Sequence, residues 1–208
     1  MTMKKIAFSN QYGLTKAVLE GRKTMTRRLV PAGIMRMAQM EAKMFGESLS
    51  KRIWEHSPML CEKVAIAQSY FELYKILEAR DFKRTDALYD EFYHAMQFAK
   101  VCDTDAGWNN KMYVRADLMP HHIHIQDVRV AQLQDISDED CIKEGIIKYT
   151  CNLFEYQGVC YSFEGDKNKI GTFKTPREAF ACLINKLSGK GTWEANPYVF
   201  VYSFILND

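Results

Sequence analysis

Between Glu20 and Leu29 the chain reads EGRKTMTRRL, which sets four cations, Arg22, Lys23, Arg27 and Arg28, around the hydroxyls of Thr24 and Thr26. Guanidinium forks and an ammonium at this density can hold a phosphate or a carboxylate. The same groups can stabilise an oxyanion beside a hydroxyl. Basic side chains just past a helix also cap its last carbonyls, because the negative end of the dipole points there. Capping accounts for one or two of these cations and leaves the others for an anion or a reaction.

Three further groups carry possible chemistry. Glu144, in CIKEGI, precedes Gly145, where a helix should stop; read alone, it is an exposed glutamate at a helix end. His122 and His124 in HHIHI fall on one strand face, as two metal ligands would, with Asp127 able to come round to them. No third histidine stands out on that face, so the expectation is no metal and no cofactor. Trp108 in GWNNK and Trp193 in TWEANP could stack on nucleobases, although tryptophans more often anchor loops and cores.

The elements that must position these groups follow from periodicity. KKIAFSN reads as a short first strand. QYGLTKAVLEG reads as a helix with Leu14, Ala17 and Val18 on one stripe and Gly21 at its stop, delivering the chain into Arg22 and Lys23. TMTRRLV alternates as a strand, with Met25 and Leu29 on one face and Thr24, Thr26 and Arg28 on the other. Residues 31–58 are expected to form a helix over an apolar edge, the alternative being a methionine-lined binding surface. Residues 62–70 read as a buried strand and 85–100 as an amphipathic helix along Leu88, Phe92, Ala95, Met96 and Ala99.

Farther on, MYVRADLMPHHIHIQDVRVAQL predicts two strand segments broken at Pro120. Ser137 is a good N-cap followed by three acids. Tyr149–Phe163 suggests a hairpin about Gln157-Gly158. Thr175, Pro176 and Glu178 spell a capping box opening a helix with a stripe of Ala179, Phe180, Leu183, Ile184 and Leu187. NPYVFVYSFIL is apolar on both faces and reads as a central strand. Strands and helices mix without βαβ alternation, so an α+β fold with a small, mainly antiparallel barrel and packed helices is expected.

Bulk properties narrow the function classes. The chain has 208 residues, 47% hydrophobic and 26% charged, with a net charge of +2, so it spreads little field and any basic patch is local. That excludes an electrostatic coater of nucleic acid and leaves room for a focused site. The six cysteines show no CxxC spacing, which sets a zinc ribbon aside. MTMKKIAFSN lacks the apolar run of a signal peptide, and no stretch reaches about 18 apolar residues. The expectation is a cytoplasmic protein with reduced thiols and no membrane contact.

FSNQYGLTKAVLEGRKTMTRR resembles the opening of the ASCH domain, whose hallmark is a helix running into Gly-Arg-Lys-Thr-x-Thr-Arg. LQDISDEDCIKEGI is similar to that family's acidic helix ending in Glu-Gly, and FACLINKLSGKGTWEANPYVFVYSFIL to its closing helix, tryptophan turn and strand. The whole is most similar to longer ASCH proteins of phage and prophage regions. Relative to the smallest members, segments 31–58, 71–107 and 148–172 look like insertions in one domain spanning 1–208.

The resemblance implies a PUA-like β-barrel with a basic cleft that binds RNA or a modified nucleoside. Some small members hydrolyse the amide of N4-acylated cytidines with lysine, threonine and glutamate; these fall here on Lys23, Thr26 and Glu144. Others are ribonucleases. Arg22, Thr24, Arg27, Arg28, Arg115, Trp108 and Trp193 would then contact the nucleic acid, and the insertions could bind a protein partner. Two assignments stay open. Lys23 could activate Thr26 once its pKa falls several units below about 10.4. A guanidinium about 6 Å away at an effective dielectric of about 20 supplies roughly 2.8 kcal/mol toward that. Alternatively Glu144 is the base, and charged Lys23 with Arg28 stabilises the oxyanion.

Overall fold

The structure, a computed structural model, describes residues 3–57, 62–69, 71–73, 75, 111, 114–153, 156–165 and 173–207. It is an α+β protein. Five strands, β1 (Lys5–Ile6), β2 (Met25–Leu29), β3 (Lys63–Ile66), β4 (His122–Gln132) and β7 (Tyr198–Leu206), form one mostly antiparallel sheet in the order β1-β3-β4-β7-β2. β5 (Ile147–Leu153) and β6 (Tyr156–Ser162) make a separate antiparallel pair. Closure into the expected barrel is not seen: β1 and β2 stand at opposite ends of the order and do not pair among the described residues. β1 is two residues long and already pairs in parallel with β3. It offers too short a ladder to seal a second edge.

The chain divides into two compact units, residues 1–8 with 63–123 and 207–208, and residues 9–62 with 124–206. In the first, Ala65, Leu73, Val114, Leu118 and Met119 form a buried cluster. Lys5 donates to the carbonyl of Val114 and Lys111 to that of Phe8, while Lys111 also pairs with Glu72 at 3.2 Å. Residues 116–118 form a 3-10 turn rather than a strand ahead of Pro120. Val114, Leu118 and Met119 bury in the local core instead of alternating across a sheet, and that replaces the expected first segment.

The described helices of the second unit are α1 (Leu14–Leu19), α2 (Ala32–Phe45), α3 (Leu49–Glu55), α4 (Asp138–Lys143), α5 (Pro176–Ser188) and α6 (Thr192–Ala195). The stripe of α1 is buried, and Gly21 sits past its end with a left-handed φ of 70°. α4 starts on Ser137, whose hydroxyl accepts from the Asp140 amide. α5 opens on the expected capping box. β7 is central, with β2 and β4 on either side, and Val199, Phe200, Val201, Tyr202 and Phe204 are buried.

Three local expectations are corrected. Residues 31–58 form two helices, and only Ala38 of α2 is buried; Met37, Met40 and Met44 face solvent instead of covering an apolar edge. The hairpin does not turn at Gln157-Gly158. Gly158 lies inside β6 opposite Cys151, and Leu153 pairs with Tyr156, so the ladder is longer at the turn end than composition suggested. Leu29 is exposed although Met25 is buried, because it ends an edge strand. The expected helix at 85–100 lies outside the described residues.

The capping box holds the start of the helix whose Ala179, Phe180, Leu183 and Ile184 are buried. Replacing the cap, Thr175→Ala, is expected to lower the unfolding free energy by about 1 kcal/mol. A urea titration checks this; an unchanged midpoint would show that the cap is idle.

Candidate functional site

The turn after α1 fixes Lys23. The left-handed Gly21 reverses the chain so that the Lys23 amide donates to the Ala17 carbonyl at 2.9 Å, placing the side chain beneath the helix. The next residue is tied on both sides: the Thr24 amide donates to the carbonyl of Lys143, and its own carbonyl accepts from Phe204. The end of α4 and the start of β2 are therefore joined through the backbone. Glu144 caps α4, and Gly145 follows with φ 106°, which L side chains rarely adopt.

At this junction Lys23 Nζ donates to Glu144 Oε2 at 2.8 Å and to the Glu144 carbonyl at 2.7 Å. Arg27 donates to Glu144 Oε1 at 3.1 Å and to Asp140 Oδ2 at 2.8 Å. Arg129 reaches the same Asp140 oxygen from the solvent side. Lys23 is 2% exposed, and Thr26 and Glu144 are each 4% exposed. Glu144 is thus no exposed helix-end acid: the two cations carry its charge into the interior.

Burial pulls the Lys23 ammonium below its usual range, Glu144 pulls it back up through charge and a hydrogen bond, and Arg28 and Arg27 lower it further. Arg28 is lowered by burial too, against the opposing pull of Glu144 and Tyr202. Thr26 lies opposite Tyr202 in the ladder and shares its strand face with Arg28, two residues on. Met25 and Arg27 occupy the other face, with the Arg27 guanidinium 3.3 Å from the Met25 sulfur. Arg28 shares a face with Thr26 and feels Glu144, which links the threonine face electrostatically to the ion pair. The neighbouring Cys141 thiol is pushed up to about 12, chiefly by burial, and is no competing nucleophile.

The predicted residues therefore divide. Lys23 and Glu144 meet, with Arg27 on the same carboxylate, while Thr26 is buried and Arg28 half-buried in the adjoining strand. The expected four-cation cluster is not left open to one anion, because helix α4 brings acids to two of the cations. Lys23 and Arg27 are taken up by these acids, and Arg22 pairs with Glu20 at 2.6 Å on the surface. Thr24 serves through its backbone. Arg115 is exposed, paired with Asp117, and belongs to the other compact unit. Trp108 lies outside the described residues. Trp193 is half-buried, edge-on to Phe180 with ring centroids 6.1 Å apart, under the Arg177 guanidinium. No group of three metal-ligating side chains occurs among the described residues. No described helix is long and apolar enough to cross a membrane.

Sequence reading missed Asp140, Arg129 and Tyr202. For Asp140 a signal existed: it lies four residues before Glu144 and so projects from nearly the same side of α4.

Removing one partner of a buried pair strands the other's charge. Glu144→Gln should cost about 3–5 kcal/mol of stability, whereas Lys23→Met combined with Glu144→Leu should recover most of it. Denaturant titration of the three proteins decides; equal losses in the single and double variants would mean that the pair is not electrostatically coupled. The lowered folded-state pKa of Lys23 also has a sign. Between that value and the unfolded one, the unfolded chain binds more protons, so stability rises with pH through the window below 10.5. Lys23→Met should lack this increment, which urea midpoints measured across alkaline pH would reveal.

The chain matches no protein-family model, and comparison with curated proteins and with solved structures returns no match.

Proposed function

We propose that the chain is an amide hydrolase of N4-acylated cytidine-type nucleosides, working through Lys23, Thr26 and Glu144. One observation carries this reading: the Lys23 ammonium and the Glu144 carboxylate meet at 2.8 Å in a nearly waterless setting. The likeness of EGRKTMTRR and of Glu144-Gly145 to the ASCH hallmark supplies the substrate class. Burial weakens the hold of the Lys23 ammonium on its proton, and the neutral amine so favoured is a base. Both Glu144 oxygens already accept hydrogen bonds from cations, which favours Lys23 as the group that faces the nucleophile and Glu144 as the group that holds it in place.

The chemistry balances without a further reactant. Neutral Lys23 takes the Thr26 hydroxyl proton as Oγ adds to the acyl carbon, and Arg28 stabilises the developing oxyanion. The carbon–nitrogen bond then breaks, and the exocyclic amine leaves with the proton returned by Lys23. Water hydrolyses the threonine ester, releasing the acid and restoring the hydroxyl. Phosphate binding by the same cations is the weaker reading, because Lys23 and Arg27 are committed to buried acids.

Turnover of N4-acetylcytidine by the purified chain tests the proposal. Lys23→Met and Thr26→Val should each lower kcat by about 10²- to 10⁴-fold, with Thr26→Ser retaining part of the activity. The rate should climb with pH as Lys23 loses its proton and then level off. Absence of turnover by the unaltered chain, or full activity in Thr26→Val, would overturn it.

A further inference from the structure

At the opposite end of α4 from Glu144, a cleft of about 410 Å³ is lined by Asp138, Thr175, Arg177, Glu178, Ala181 and Trp193. Its back wall is rigid. The Trp193 amide is held by Asn185 of α5 at 2.9 Å, and its carbonyl by the side chain of Gln134 at 2.7 Å. Gln134 is fastened in turn through its amide to Asn196. Phe180 meets the indole edge-on, and Arg177 lies 5.7 Å from its centroid. The indole is thus a fixed aromatic surface on a cleft, the arrangement on which planar rings stack.

The polar rim decides which ring. Arg177 spends donors on the carbonyls of Gln134 and Ile136, so its charge is partly answered by backbone. The helix starts that open here are already capped, by Ser137 on Asp140 and by Thr175 on Glu178. One Glu178 oxygen accepts from the amides of Lys174 and Thr175. Two carboxylates against one partly engaged guanidinium disfavour a phosphate. They favour a ligand that presents N–H donors, and the exposed carboxylate of Asp138 offers two acceptor oxygens side by side. Among nucleobases, guanine presents two adjacent donors on one edge, N1–H and the exocyclic N2–H. Cytosine and adenine place a ring acceptor beside their amino group, which a carboxylate repels, and uracil has a single donor flanked by carbonyls.

We propose that this cleft binds a guanine base, stacked on Trp193 and paired through N1–H and N2–H to the Asp138 carboxylate. The site is separate from the Lys23–Glu144 pair and does not depend on its activity, because guanosine has no acyl group to lose.

Calorimetric titration of the full chain with the four ribonucleosides tests it. Guanosine should bind saturably in the millimolar range or tighter, at least about tenfold more strongly than the other three, and with little dependence on salt, since no phosphate is held. Asp138→Asn, an exposed change that keeps the side chain's shape, should weaken guanosine at least about tenfold, the loss expected when a paired acceptor becomes a donor. Trp193→Leu should abolish binding, with thermal melting to confirm that α6 stays in place. Thr26→Val should bind guanosine as the unaltered chain does, which separates this site from the proposed hydrolase. A short RNA holding one guanine, titrated beside guanosine, identifies the source: equal affinity assigns the cleft to a free nucleoside, tighter binding to a base within a strand. Lack of saturation at millimolar guanosine, equal affinity for all four nucleosides, or an unchanged Asp138→Asn would overturn the proposal.

Discussion

A buried charge must be matched where it lies, and in this protein that requirement organises the second compact unit. Lys23 and Arg27 come from the turn and strand that follow α1, and Asp140 and Glu144 from the first turn and the C-terminal cap of α4. Neither set could enter the interior alone, because an unpaired ion there loses several kcal/mol of hydration. Entering together, they fix where α4 sits on β2. The backbone bond from Thr24 to Lys143 then has no freedom left to settle elsewhere. Arg129 closes the network at the solvent side by sharing the Asp140 oxygen that Arg27 holds.

The network is poorly balanced as a purely structural device. Burial acts to discharge Lys23, the adjacent carboxylate acts to keep it charged, and Arg28 stands close enough to matter to both. A hydrophobic replacement of similar volume would fill the same space without this opposition. What the opposition supplies is an ammonium whose hold on its proton is weakened by burial while a carboxylate 2.8 Å away steadies it. A site built this way needs little reorganisation when charge moves within it, because the dipoles and guanidinia are already in place.

Much of the frame was legible from local rules. The Ser137 and Thr175 caps, the Gly21 stop, the α1 stripe and the central closing strand all rest on interactions within a few residues, which the sequence displays directly. The contact between Lys23 and Glu144 spans 121 positions, and only the resemblance to a known motif pointed to it. Other failures have a common cause. An arginine followed by alternating apolar residues reads as strand until a core elsewhere claims Val114, Leu118 and Met119. Four cations in seven positions read as an anion site until acids from a distant helix take up Lys23 and Arg27. Local pattern reports what a segment can do, and tertiary partners decide which option is used.

Gly145 turns with φ 106°, which L side chains rarely adopt, and a Cβ there would come within 3.2 Å of Leu14. The backbone turn that lets the glutamate's carbonyl face the lysine therefore favours glycine next to it. Glutamate and glycine form one unit of information: a related chain that kept the acid but carried any other residue after it would present the carboxylate without the backbone acceptor beside it. Recognising this arrangement in a new sequence thus requires the dipeptide, not the acid alone.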